Sequence, residues 1–180
     1  MPAHPTTVRP ELVEGLSLSC HPDTPSNAIS RIIASAARSQ WGQLILRFQI
    51  IGDIRRLSIP SPDTYASRSD GLWQTTCVEA FVKPVAGSPY TEFNFAPSTA
   101  WAANEFEAYR QAVEPPLLDT PPIDVELDDE ELSISVAVDM ATVTLLPPDA
   151  PWHLALSAVI EETDGTKSYW ALAHPPGKPY

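Results

Sequence analysis

Between Arg68 and Arg110 the sequence reads RSDGLWQTTCVEAFVKPVAGSPYTEFNFAPSTAWAANEFEAYR, which sets carboxylates and an amide among most of the protein's aromatic side chains. Residues two apart in a strand share a face. Cys77, Glu79 and Phe81 would then line one side of one strand, and Tyr90, Glu92 and Asn94 one side of the next. If the hairpin pairs in simple register, Glu79 falls near Glu92 or Asn94. Carboxylates and an amide beside aromatic rings suit a sugar, because rings stack on its C–H faces while polar groups take its hydroxyls. The ligand-binding residues expected on this basis are Trp73, Glu79, Tyr90, Glu92, Asn94, Trp101, Tyr109 and Arg110. Two of these roles have structural competitors. Trp73 and Trp101 would serve as well in a β-core, and for Arg110 an ion pair with Glu92 or Glu107 is the stronger reading.

Other chemistries have less support. Glu79 and Glu92 could form the acid and base of a glycosidase, at ~5–5.5 Å apart for retention or ~6.5–9.5 Å for inversion. Nothing else in the chain supports hydrolysis, so a non-enzymatic binding domain is the expectation. The sequence holds no Gly-x-Ser-x-Gly elbow, His-Glu-x-x-His pair, phosphate-binding glycine loop or dinucleotide fingerprint. The acidic run Asp128–Glu131 lacks the spacing of a calcium loop and reads as a solvated turn.

Composition narrows the partners. A formal charge of −12 argues against nucleic acid, whose phosphates need a basic surface, and against anionic membranes. Cys20 and Cys77 cannot build a disulfide scaffold, although one bridge between them stays open. No apolar run approaches the ~20 residues of a membrane span, and the N-terminal MPAHPTTVRPELVEG lacks the apolar core of a secretory signal. The expected location is cytoplasmic.

The elements that must position these residues are mostly strands. The chain has 20 prolines in 180 residues, about double the usual ~5%, clustered between apolar runs as loops between strands would place them. Residues 1–15 look like an extension outside the fold, and residues 16–180 like a single domain. Leu16–Cys20 reads as an edge strand. Thr24 and Pro25 can start a helix, and Ile29, Ile32, Ile33 and Ala36 recur at helical spacing, so one short helix is expected over Pro25–Arg38. From Leu44 to Ile51 the period is two; Ile54–Ile59 would be a short return strand. Thr76–Lys83 and Tyr90–Ala96 form a hairpin. Trp101–Arg110 fits either period, with strand preferred. Ile123–Leu127, Leu132–Val138, Trp152–Glu162 and Lys167–Ala173 complete an antiparallel β-sandwich.

TTCVEAFVKP followed by YTEFNFAPSTAWAANEFEAYR resembles the DOMON-like ligand-binding domains of bacteria, which are similar to family-nine carbohydrate-binding modules. CHPDTPS, LRFQIIGDI, RSDGLWQTT and SYWALAHPPGKP fit the same pattern, so the resemblance covers Leu18 to about Pro179. It implies an all-β fold, a sandwich of two antiparallel sheets, with a cleft on one face that holds a sugar or a haem in relatives. Trp73 and Trp101 are the candidates for the two-aromatic clamp of the sugar modules. Those modules also carry structural calcium. A haem would need Met with His as axial ligands, which points to Met140 and His174, with His21 and His153 in reserve. The chain has no Cys-x-x-Cys-His attachment motif, so haem is the alternative reading and no cofactor is evident. A surface for a partner protein, with no small ligand, is the other alternative.

Overall fold

The computed structural model describes residues 11–61, 66–146 and 150–174, with the backbone alone for residues 11–14. Eleven strands account for most of them: β1 (Glu11–Cys20), β2 (Ile29–Arg38), β3 (Gln43–Gly52), β4 (Cys77–Pro84), β5 (Tyr90–Phe95), β6 (Trp101–Ala108), β7 (Gln111–Ala112), β8 (Ile123–Leu127), β9 (Glu131–Asp139), β10 (Trp152–Glu161) and β11 (Lys167–Ala171). They pair antiparallel in one sheet of order β7-β6-β5-β4-β10-β11-β1-β2-β3-β9-β8. The only helical pieces among the described residues are three short 3-10 turns, at Ile54–Arg56, Leu72–Gln74 and Met140–Thr142.

Two expectations are corrected here. The strands do not separate into the two sheets of a sandwich. β1 is long enough to pair with β2 from Glu11 to Leu18 and with β11 at Ser19 and Cys20, which joins both halves into one continuous sheet. Instead of lying at an edge, Leu16–Cys20 belongs to this central strand. β1 begins at Glu11, within the stretch set aside as an extension.

The expected helix is absent, and Ile29–Arg38 is strand β2. Its isoleucines sit at spacings that fit a helix, but beyond the irregularity at Ile29–Arg31 the buried residues are Ile32, Ala34 and Ala36, at a period of two. They pair with Ile50, Phe48 and Leu46 of β3, small alanine opposite large side chain. Three β-branched isoleucines within five residues favour this pleated surface over a helix. The would-be helix start is occupied otherwise. The Ser26 hydroxyl accepts from the amides of Ala28 and Ile29, and the buried Glu162 carboxylate accepts from the Ser26 hydroxyl and the amides of Asn27 and Ala28. Ile54–Ile59 is also corrected, being a 3-10 turn followed by a single bridge from Leu57 to Glu162.

One face of the sheet carries the core. Ile32, Leu46, Phe48, Ile134 and Val136 from one half join Val78, Ala80, Phe93, Phe95, Leu156 and Trp170 from the other in a single apolar cluster. Contacts between distant strands show that the sheet curls. The Arg38 guanidinium, at the end of β2, lies 3.8 Å from the ring centre of Trp152 on β10, although β11 and β1 separate those strands in the sheet. The Glu105 carboxylate on β6 accepts from the Thr144 hydroxyl and the Leu145 amide, which follow β9 near the opposite edge.

Candidate functional site

The face away from the core is where the polar residues of the central hairpin meet. β4 and β5 pair Val78 with Phe95, Glu79 with Asn94, Ala80 with Phe93 and Phe81 with Glu92. Alternation sends Val78, Ala80, Phe93 and Phe95 into the core and leaves Cys77, Glu79, Phe81, Tyr90, Glu92 and Asn94 on the other side. Neighbouring strands extend this arrangement. Asn104 of β6 lies opposite Glu92, and Ser157 of β10 lies opposite Glu79. A polar row therefore crosses four strands as Asn104, Glu92, Asn94, Glu79 and Ser157, with the small Ala102, Ala155 and Ala171 on its flanks.

Hydrogen bonds tie most of the row together. The Asn94 amide nitrogen donates to Glu92 Oε1 at 2.8 Å, and the Ser157 hydroxyl donates to Glu79 Oε2 at 2.7 Å. Asn94 Oδ1 is buried without a partner. Burial pushes the Glu79 carboxyl up to about 7; the Ser157 hydrogen bond pulls it down and the Glu92 charge pushes it further up. The Cys77 thiol is raised well above its usual value by burial, then by Glu79 and Glu92. Cys77 and Cys20 are both free thiols. Cys77, Asn94, Ala102 and Val159 are buried on this face.

An aromatic pair borders the row. Tyr90 and Phe106 stack with ring centres 4.6 Å apart and planes 7° from parallel. Trp73 sits in the Leu72–Gln74 turn and is 55% exposed. The Lys167 ammonium, one of the β11 side chains on this face, donates to the Gln74 carbonyl and holds that turn at the end of β4.

The other expected residues lie elsewhere. Trp101 pairs with Phe95, is 3% exposed and belongs to the core, with the Arg68 guanidinium 5.4 Å from its ring centre. It faces away from Glu79, and a stacking role beside that residue is not open to it. Tyr109 and Arg110 form the exposed turn after β6; Arg110 has φ 58°, lies over the Tyr109 ring, and donates its amide to the Tyr90 hydroxyl at 3.4 Å.

Met140 is buried and its amide donates to the Gly42 carbonyl, at the β2–β3 turn. The His174 ring meets the Ser19 carbonyl and the His21 ring, at the other end of those strands. Seven strand residues separate the two places, on the order of 20 Å at ~3.3 Å per residue, so one haem iron cannot reach both. Among the described residues no three His, Cys, Asp or Glu side chains group as a metal site, and no helix is long and apolar enough to cross a membrane.

Asn104 and Ser157 were not singled out by the sequence reading. Asn104 shares parity with Phe106 along β6, which is a local signal. Ser157 lies 78 residues from Glu79, and only the pairing of β10 with β4 brings it in.

No protein-family model and no curated protein matches the sequence. The fold is similar to that of a "putative carbohydrate-binding protein" from Bacteroides uniformis ATCC 8492. The two share a TM-score of 0.58 and 11% identity, over 94% of this chain and 82% of that one. At that identity the likeness is one of fold.

Proposed function

We propose that this protein is a DOMON-like, non-enzymatic binding domain, and that a sugar is held on the face of β4, β5, β6 and β10 that is turned away from the core. The observation that carries this reading is the polar row Asn104, Glu92, Asn94, Glu79 and Ser157, set among small alanines and bordered by aromatic rings. The row offers carboxylate, carbonyl, amide and hydroxyl groups to several hydroxyls at once. The Tyr90–Phe106 pair and Trp73 supply apolar faces at the margin. The fold shared with the Bacteroides protein supports the same ligand class.

A thermal-shift panel of mono- and disaccharides tests it. A sugar present at 100 times its dissociation constant stabilises by about 2.7 kcal/mol, or several degrees for a domain of this size. The shift should disappear in Asn94→Ala and shrink in Trp73→Ala, while Trp41→Ala, an exposed aromatic on the β2–β3 turn, keeps it. A panel flat across all sugars would sink the reading.

A further inference from the structure

We infer that the polar face of β4, β5, β6 and β10 selects a sugar bearing a protonated amine over neutral and acidic sugars; this rests on the carbohydrate reading above. Glu79 and Glu92 are diagonal neighbours on adjacent antiparallel strands, since each lies opposite the residue two away from the other. Diagonal positions lie within reach of long side chains, at Cα separations of ~7–8 Å. The described ion pairs join Arg55 to Asp53, Arg56 to Glu162 and Lys167 to Glu161. None engages Glu79 or Glu92. Among the described residues, no cation pairs with either of these two acids.

Asn94 supplies an independent observation. It is 2% exposed, and its amide nitrogen is committed to Glu92. Its carbonyl oxygen is therefore turned away from Glu92, and it is buried with nothing to accept from. An orphaned buried acceptor costs the protein stability unless a donor arrives. The site thus presents the Glu92 carboxylate, the Glu79 carboxyl and one unsatisfied carbonyl oxygen. An ammonium brings three donors and the missing positive charge. The raised Glu79 carboxyl, elevated by burial and further by Glu92, is the response expected of a site that lacks this charge. Calcium fits less well, because it takes 6–8 oxygen ligands and Glu92 Oε1 already accepts from Asn94.

Isothermal titration of the full chain at pH 7 with glucosamine, glucose, glucuronate, ethanolamine and calcium chloride provides the test. Glucosamine should bind at least about tenfold more tightly than glucose, the size of one charge-assisted hydrogen bond, with glucuronate weakest. Ethanolamine, which lacks the ring, should bind far more weakly than glucosamine. Glu92→Gln preserves the shape and removes the charge, so the glucosamine-to-glucose ratio should fall towards one. Equal binding of glucosamine and glucose would overturn the amine preference and leave the carbohydrate reading standing. Calcium binding that competes with glucosamine, or an unchanged ratio in Glu92→Gln, would also overturn it. If no sugar binds at all, both this inference and the reading beneath it fail.

Discussion

Glu79 is a residue whose environment makes a measurable statement about stability. Its carboxyl sits near 7 in the folded protein, against an ordinary value of 4.5. Between those values the folded state holds a proton that the unfolded state has released. Stability therefore falls as pH rises from about 4.5 to 7 and levels off above. A shift of this size corresponds to at most about 3 kcal/mol. Glu79→Gln stays uncharged and keeps a group able to accept from the Ser157 hydroxyl. Urea unfolding at pH 5 and pH 8 should show the wild type losing up to about 3 kcal/mol from this group on going to the higher pH. The glutamine variant should lack that loss and be the more stable of the two at pH 8. Equal pH dependence in both proteins would mean that Glu79 is ionised at neutral pH like an ordinary surface acid. The local period of two was enough to place Glu79, Glu92 and Asn94 on a shared face. It could not show that Ser157 faces Glu79, because that contact depends on strand order.

Element by element, the strands that were legible are those whose alternation has no rival. Leu44, Leu46, Phe48 and Ile50 of β3, and Leu132, Ile134, Val136 and Val138 of β9, are all buried in the same alternating order. β2 was misread because ISRIIASAAR satisfies both periods, and its alanines carry no propensity against a helix. What decides it is tertiary: the alanines accommodate Phe48 and Leu46, and Glu162 folds the preceding segment into a turn. Glu162 is 2% exposed; one oxygen accepts from Ser26 and the amides of Asn27 and Ala28, and the other takes the Arg56 guanidinium at 2.8 Å. Glu162→Ala would strand those donors beside β2 and leave Arg56 without its anion. Removing one partner of a buried ion pair typically costs ~3–5 kcal/mol, and denaturant unfolding should show a loss in that range, discounted for the partial exposure of Arg56. A loss under about 1 kcal/mol would show that the turn forms without this carboxylate.

At the scale of the whole molecule, the question is whether one sheet with one core behaves as one cooperative unit. The seam between β1 and β11 is short, pairing only Ser19 with Ala171 and Cys20 with Trp170. Hydrogen bonds there could not couple the halves strongly. The apolar cluster can, because Phe48 and Ile134 of one half share it with Phe93, Phe95 and Trp170 of the other. Phe48 is fully buried on β3, and Phe48→Ala should cost ~3–5 kcal/mol through lost burial and the cavity left behind. Four of the five tryptophans, Trp73, Trp101, Trp152 and Trp170, lie in or beside the half built from β4, β5, β6, β10 and β11. Their fluorescence therefore reports mainly on the half that Phe48 does not belong to. With a shared core, the mutation should lower the midpoint seen by tryptophan fluorescence and by far-UV circular dichroism together, by roughly 10 °C at ~2–4 °C per kcal/mol. Coincident transitions by the two probes are the mark of a single cooperative unit. If fluorescence kept the wild-type midpoint while circular dichroism showed an earlier loss, the halves would be folding separately. The polar face of β4, β5, β6 and β10 could then stand on its own strands alone.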